Sequence, residues 1–376
     1  MSTEWDALAG RLEDRFMDAA DGGDRLEAWA ETDFDAFARA SFGWQYELCA
    51  PYRALCDRRG ITPGSIGDWR DIPAVPATAF KYFDFVSIPG GWVDVDCDAV
   101  FETSGTTRGA ERRGRHVVPR GSLYRASFYH PFRLALLPDL ERLPMLSLIP
   151  SPAEATASSL SCMVGMAVEE FGDGVDWLVD GEGRWRDDAF DLLGAVRRSG
   201  GPVLLLGTAL SFVHLIEGVE AGDVQLPAGS RVMETGGFKG ARRSIARAEL
   251  YARIAAHVGV EEQRIVNEYG MTELLSQMYE PVLIEGVEAQ GRHVAPPWLR
   301  VRILDPTTLE ERPDGNEGLI AFFDLANLGS VNHILTEDVG VIEAGRLQLL
   351  GRATGAEPRG CSRAMDDLMP GAGRVR

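Results

Sequence analysis

Arg264-Ile265-Val266-Asn267-Glu268-Tyr269-Gly270-Met271-Thr272-Glu273 joins a short run of strand character to a cluster of groups that can hold a ligand. Arg264 to Val266 reads as a buried strand, and an aromatic ring, a glycine, a hydroxyl and a carboxylate follow it. In open α/β sheets ligands bind outside the carboxyl ends of the strands, which is where these groups fall. Each has a use against a nucleotide. The Tyr269 ring can stack on a base, the Thr272 hydroxyl can bond a phosphate, and the Glu273 carboxylate can hold magnesium, a hard cation that takes oxygen ligands. Taken alone, Tyr-Gly-x-Thr-Glu is equally compatible with a loop before a capped helix.

The sequence on either side supplies the α/β context. Met145 to Ile149, Val203 to Leu206 and Arg231 to Met233 are further strand candidates. Between them Leu210 to Val219 and Arg242 to Val258 carry helical periodicity, the alternation expected of a sheet with crossover helices. Beyond Trp298 the pattern changes to short strands at Val301 to Leu304, Leu319 to Phe323, Val339 to Glu343 and Leu347 to Leu350, which predicts a β-rich subdomain. At the other end Trp5, Leu8, Leu12 and Phe16 recur at helical spacing, and helical material continues to about Arg59. Pro63, Gly64, Gly67, Pro73 and Pro76 mark a loop-rich passage after it. The predicted organisation is a domain over residues 1–352 and a flexible Gly-, Arg- and Pro-rich tail over 353–376.

Composition narrows the class of function. Asp and Glu number 57 against 38 Lys and Arg, a net charge of −19, which argues against nucleic acid or an anionic membrane as the main partner. Hydrophobic residues make up 45% of 376 positions, enough for a substantial core. The longest apolar stretch, Val203 to Ile216, is interrupted by Gly207, Thr208, Ser211 and His214 and is too short to span a bilayer. Cys49, Cys56, Cys97, Cys162 and Cys361 are odd in number and lack Cys-x-x-Cys spacing, so neither a disulfide framework nor a zinc site is expected. The N-terminus shows no basic segment followed by an apolar run, and a soluble cytoplasmic protein is expected.

Upstream, Phe101-Glu102-Thr103-Ser104-Gly105-Thr106-Thr107-Arg108-Gly109 sets four hydroxyls among glycines, a composition that lets backbone N–H groups and hydroxyls converge on phosphate oxygens. No Gly-Lys-Ser/Thr follows, so it is not a Walker A loop. A Ser/Thr/Gly turn of this kind can also be only a turn.

Together these segments resemble the adenylate-forming superfamily of acyl-CoA synthetases, luciferases and peptide-synthetase adenylation domains. Thr103, Ser104, Gly105, Thr106 and Thr107 resemble its phosphate loop, and Glu234-Thr235-Gly236-Gly237 resembles the glycine turn beside adenine. Tyr269, Gly270, Thr272 and Glu273 match its adenine and magnesium motif, Thr336-Glu337-Asp338 its ribose-binding Thr-Gly-Asp, and Gly351-Arg352 the Gly-Arg that follows. The resemblance implies ATP and Mg2+, with Glu273 on the metal and Asp338 and Arg352 toward the ribose and phosphate. Three departures stand out. Arg108-Gly109-Ala110 replaces Gly-x-Pro-Lys-Gly, so a phosphate contact is expected from Arg108, Arg112 or Arg113. Glu337 replaces glycine. Only 24 residues follow Arg352, where full-length members carry a C-terminal domain with a lysine that assists adenylation, so the expected fold is the large N-terminal domain without that addition. Lys81 and Lys239 are the two lysines of the chain; either could meet a phosphate or sit idle on the surface.

That shortening, with Ile72-Pro73-x-Val75-Pro76, Phe80-Lys81, Leu148-Ile149-Pro150-Ser151-Pro152 and Arg359-Gly360-Cys361-Ser362, resembles one branch, the LuxE-type acyl-protein synthetases of bacterial luminescence fatty acid reductase complexes. The resemblance implies activation of a carboxylic acid, of fatty type, as acyl-adenylate. It further implies transfer to Cys361 as a thioester and hand-over to a LuxC-like acyl reductase. Arg359 and Arg363 could favour the Cys361 thiolate. The other four cysteines lie in apolar or helical contexts that fit packing, and His116 and His130 are ambiguous, a lone histidine being more often structural than catalytic. Two alternatives stay open: a ligase that passes the acyl group directly to coenzyme A or a carrier protein, and a nucleotide-binding homologue that performs no chemistry.

Overall fold

The computed structural model describes residues 2–20, 25–90, 98–103, 113–220, 222, 224–236, 245–353, 365, 367 and 368. Among these residues the central element is a six-stranded sheet. Its strands, in spatial order, are Gly172–Trp177, Leu143–Ser147, Leu204–Thr208, Arg231–Thr235, Ile265–Tyr269 and Met278–Tyr279. All neighbours pair in parallel except the last two, which are antiparallel.

Side chains alternate across this sheet because successive residues of a strand point to opposite faces. Leu204, Leu206, Met233 and Val266 enter one core with the helices Gly121–Leu136 and Ser159–Phe171. Leu205, Val232 and Ile265 enter a second core with the helices Ala189–Ser199, Ala209–Gly218 and Arg247–Val258. Burial on both faces is what makes these strands read as continuous apolar runs. The chain lays Gly172–Trp177 on one side of Leu143–Ser147 and then Leu204–Thr208 on the other. Strand order therefore reverses there, opening a crevice at the carboxyl ends of the strands.

A second sheet of five strands orders Val75–Pro76, His333–Glu343, Gly318–Asp324 and Leu299–Leu304, with Arg346–Arg352 also paired to His333–Glu343. This is the predicted β-rich subdomain, but its long strand begins at His333 rather than Val339. Thr336 holds it in line: its hydroxyl donates to Ile320 O at 2.8 Å and accepts from Asp338 N at 3.1 Å. A hairpin of Ala99–Glu102 and Arg115–Val118 stands apart as a two-stranded sheet. The N-terminal helices Ser2–Met17, Glu31–Leu48 and Ala50–Arg58 pack on the first core.

Of the predicted tail, residues 353–376, only Ala353, Met365, Asp367 and Leu368 are among the described residues. Asp367 pairs with Arg59 at 2.9 Å, its carbonyl accepts from Arg58, and Leu368 is buried in the first core. At the near end Ala353 N donates to Glu337 O at 3.0 Å. No helix of the described residues is long and apolar enough to cross a membrane.

Candidate active site

The parallel register builds the site. Thr208 pairs with Thr235, and Thr235 with Glu268. These three polar residues therefore form a row across adjacent strand ends, on the face that carries Leu206, Met233 and Val266. They line a cavity of about 580 Å³ whose wall also includes Thr103, Arg113, Gly236, Gly270 and Thr272. The Thr235 hydroxyl donates to Glu268 Oε2. Gly270 has to be glycine for this arrangement, since a Cβ there would lie 2.4 Å from Glu268 Oε1.

Two helix N-termini open on the same space. Ser158 caps Ser159–Phe171 by accepting from Ser161 N at 3.1 Å, and Thr208 caps Ala209–Gly218 by accepting from Ser211 N at 3.0 Å. Ser158, Ser159, Thr208 and Leu210 all line the cavity. Helix N-termini carry partial positive charge and unpaired N–H groups, so they favour an anion. Arg113 adds a full charge; it is 66% exposed and donates to Glu102 Oε2 at 3.2 Å.

One residue further back on each strand the pattern faces the other way. Gly207, Glu234 and Asn267 share a register line, and Glu234 is buried away from the cavity. Its carboxylate accepts from Asn267 Nδ2 at 2.5 Å and from the Tyr251 hydroxyl at 3.1 Å. Burial pushes the Glu234 carboxyl up to about 7, against the opposing hydrogen bond of Asn267 and the charge of Arg247. Asn267 Oδ1 meets His293 Nε2 at 2.7 Å. This network joins the ends of neighbouring strands and so fixes the glycine turn at Gly236, whose φ is +80°.

The matched residues of distant segments converge. The Tyr269 hydroxyl donates to Asp338 Oδ2 at 2.8 Å, and Arg352 Nε donates to Asp338 Oδ1 at 3.1 Å. Asp338 and Arg352 face each other directly in adjacent strands. A carboxylate has about four lone-pair sites, so Asp338 retains acceptor capacity beyond these two bonds. The Tyr269 ring lies 5.6 Å from Phe322 and 6.3 Å from His293. Its hydroxyl is held well above the usual range, first by burial and then by the charge of Asp338.

Thr103 serves the hairpin as well as the cavity. Its N–H donates to Gly114 O at 2.8 Å, and its hydroxyl accepts from Gly114 N at 2.9 Å. His116, on the same hairpin, meets Thr272 O through Nδ1 at 2.7 Å and is 1% exposed. It ties the hairpin to the Tyr269-to-Glu273 segment, and burial lowers its pKa to about 4. His130 is likewise packed, against Met17 O.

Glu273 is 8% exposed, and its backbone carbonyl accepts from Asn327 Nδ2 at 2.8 Å. Among the described residues no group of three His, Cys, Asp or Glu side chains could enclose a metal. A single carboxylate still fits magnesium bound to a nucleotide, because that ion takes one or two carboxylates and completes its shell with phosphate oxygens and water. Lys81 lies with Asp84, Arg113 and Arg115 around a smaller cavity of about 250 Å³. Cys49 and Cys56 are buried, with thiols raised by burial to about 11 and about 12, and Cys162 is half-buried and also raised. Ser104, Gly105, Thr106, Thr107, Arg108, Arg112, Gly237, Lys239, Cys97 and Cys361 lie outside the described residues.

Glu268 and Gln277 are cavity residues that sequence reasoning passed over. A signal existed for Glu268: it follows Val266 by two and so shares its inward face. Gln277 carries no such signal, since its place depends on the antiparallel turn-back of Met278–Tyr279.

A family model described as "Acyl-protein synthetase, LuxE" matches residues 26–369. A protein of Aliivibrio fischeri named "Long-chain-fatty-acid--luciferin-component ligase" is 22% identical over 349 residues, covering 89% of this chain and 88% of its own length. A Vibrio harveyi protein of the same name is 22% identical over 319 residues, covering 81% and 78%. Among solved structures, 2-hydroxyisobutyryl-CoA ligase in complex with 2-HIB-AMP and CoA is 14% identical with a TM-score of 0.63, over 87% of this chain and 69% of that one. ATP-bound MatB from Rhodopseudomonas palustris is 18% identical with a TM-score of 0.49; the match covers 80% of this chain and spans little more than half, 56%, of that one. The likeness to 2-hydroxyisobutyryl-CoA ligase is one of fold, and the fold is that of adenylate-forming enzymes.

Proposed function

The chain belongs to the LuxE family of acyl-protein synthetases, and on that premise we propose that it uses ATP to activate a fatty-type carboxylic acid and carries the acyl group on Cys361. The relatives named as ligases of a long-chain fatty acid support the class of acid. In the first step a carboxylate oxygen of the acid attacks the α-phosphorus of ATP. The new P–O bond forms as the bond to the β-phosphate oxygen breaks, giving acyl-adenylate and pyrophosphate. In the second, the Cys361 thiolate attacks the acyl carbon, a C–S bond forms, and AMP leaves with the electrons of the broken C–O bond. A partner acyl reductase of the LuxC kind then takes the acyl group.

The observation that carries this reading is the Tyr269–Asp338–Arg352 linkage beside a cavity lined by Thr103, Gly236 and Thr272. Residues that match separate nucleotide-binding motifs meet at one place. Tyr269, Gly236 and Gly237 would border the base, and Asp338 and Arg352 the ribose. Thr103, Ser104, Gly105, Thr106, Thr107 and Thr272 would hold the phosphates. Magnesium, held by Glu273, would neutralise phosphate charge. Arg113 and the two helix N-termini supply positive potential that favours an anion. Catalysis of this kind is placement and charge stabilisation.

The test is intact-protein mass spectrometry after incubation with ATP, magnesium and a panel of carboxylic acids, then hydroxylamine treatment and peptide mapping. A labile acyl adduct on Cys361 is the expected result. Pyrophosphate release without an adduct would replace the carrier role with direct ligation, and neither signal with any acid would remove the proposal.

A further inference from the structure

Residues 270–277 carry Thr272 and Glu273 and run from the strand that ends at Tyr269 to the one that begins at Met278, with no helix or strand of their own. Leu274, Leu275, Ser276 and Gln277 are buried. Buried backbone without a ladder has to find its hydrogen bonds elsewhere. Here they come from the second sheet. Asp324, at the end of Gly318–Asp324, is fully buried, and its carboxylate accepts from Leu275 N at 3.0 Å, Ser276 N at 2.9 Å, the Ser276 hydroxyl at 2.7 Å and Ala326 N at 3.0 Å. Asn327, also fully buried, donates through Nδ2 to Glu273 O at 2.8 Å and to Val331 O at 3.2 Å. The two are braced in turn: Asn332 Nδ2 donates to Asp324 O, and Gln45 Nε2 donates to Asn327 O at 3.3 Å.

Burial pushes the Asp324 carboxyl up, and its hydrogen bonds pull against that shift. Three of its four partners are backbone N–H groups, which cannot accept, so the arrangement suits an ionised, acceptor-only carboxylate. A well-packed apolar residue often serves stability as well as a buried charge does. What it cannot do is hold chosen backbone groups in one place. Thr272 lines the large cavity, whereas Asp324 and Asn327 are not part of its wall. We propose that Asp324 and Asn327 are positioning residues for the nucleotide: by fixing the main chain at Glu273, Leu275 and Ser276 they set the Thr272 hydroxyl and the Glu273 carboxylate where phosphate and magnesium bind. This inference rests on the reading that Glu273 holds the metal.

The experiment measures ATP affinity by calorimetry with and without magnesium, and the readout is the enhancement that magnesium brings to each protein. The full chain is used throughout. Groups behind a metal ligand typically act on metal affinity by about tenfold or more. Glu273→Gln, which removes the ligand itself, should lose most of the enhancement. Asn327→Leu, which keeps the volume and removes the donor to Glu273 O, should lose most of it as well. Ser276→Ala, which takes one bond from Asp324, should lose part of it and decides the matter if Asn327→Leu does not fold. Added to Glu273→Gln, Asn327→Leu should reduce the enhancement little further, because both act through one carboxylate. Leu368→Ala, a core truncation outside these bonds, should keep the parent's enhancement, so that lost stability does not imitate the effect. Parent-like enhancement in the folded Asn327 and Ser276 variants, or an equal loss in Leu368→Ala, would overturn the inference while leaving Glu273 on the metal. Enhancement unmoved in Glu273→Gln, or absent from the parent, would remove that reading and the inference with it.

Discussion

The hydroxyl of Tyr269 reaches Oδ2 of Asp338 at 2.8 Å and so joins the end of a parallel-sheet strand to the longest strand of the other sheet. Tyr269→Phe keeps the ring against Phe322 and removes this bond alone. Stability is expected to fall by about 1 kcal/mol. If the nucleoside binds here, KM for ATP should rise about tenfold, the equivalent of about 1.4 kcal/mol, with kcat less affected. Chemical denaturation and pyrophosphate exchange measure the two effects, and an unchanged KM would separate Asp338 from the nucleotide.

Cys361→Ser is expected to make acyl-adenylate in a single turnover yet hold no hydroxylamine-labile acyl group. A labile adduct of normal yield on this variant would exclude Cys361 as the carrier.

Gly270→Ala brings a methyl group against Glu268 Oε1 at 2.4 Å, the mobile end of a side chain. The protein should fold, losing about 1 kcal/mol or less, because the carboxylate can turn aside. Turnover should fall severalfold as the carboxylate leaves its place beside Gln277. Wild-type turnover would show that the position of Glu268 has no part in the reaction.

His333 is buried against Trp69 and Phe323, and its Nδ1 donates to Ile72 O at 2.7 Å. Burial lowers its pKa from 6.5 to about 3. The unfolded chain therefore takes up this proton first as pH falls. The resulting contribution to stability is fully present above pH 6.5, declines below it and is exhausted near pH 3. At pH 5 the loss is about 2 kcal/mol. His116 and His293 act in the same direction, with pKa values lowered to about 4 and about 3. Glu234, raised to about 7, acts oppositely and loses stabilisation as pH rises through that value. His333→Asn keeps a donor near Ile72 O without a titrating ring, so its stability should depend less steeply on pH between 6.5 and 4 than the parent's. Parallel denaturation curves in that window would refute the assignment.

Leu368 is buried in the first core. Leu368→Ala should therefore destabilise the protein by about 2 kcal/mol or more. A tail solvated to its end would show no change in the denaturation midpoint.

The parallel sheet was legible because Val203 to Leu206 and Ile265 to Val266 are packed from both faces and read as unbroken apolar runs, and Met145 to Ile149 is broken by Ser147 alone. Gly172–Trp177 was not, since Gly-Asp-Gly-Val-Asp-Trp forms an edge strand with two exposed residues and three half-buried ones. Tyr269, Asp338 and Arg352 could be picked out by resemblance, but their contact depends on pairing between segments far apart in the chain. Gln277 escaped notice for a related reason: its place is set by the antiparallel return of Met278–Tyr279, whereas for Glu268 the two-residue spacing from Val266 was there to be read. The docking of Asp367 and Leu368 was hidden by the composition around them, which is Gly-, Arg- and Pro-rich, whereas the contact needs only one leucine and one carboxylate.

Ala353 is bonded to Glu337 and Asp367 to Arg59, so both flanks of residues 354–364 are attached to the folded body. If Cys361 is the acyl carrier proposed above, it would meet the acyl-adenylate at a local concentration fixed by tether length, as in a cyclic molecule, and not by how many protein molecules share the solution. Self-acylation should then be first order, with a half-time unchanged by dilution, while onward delivery to a separate protein remains bimolecular and slows as the mixture is diluted.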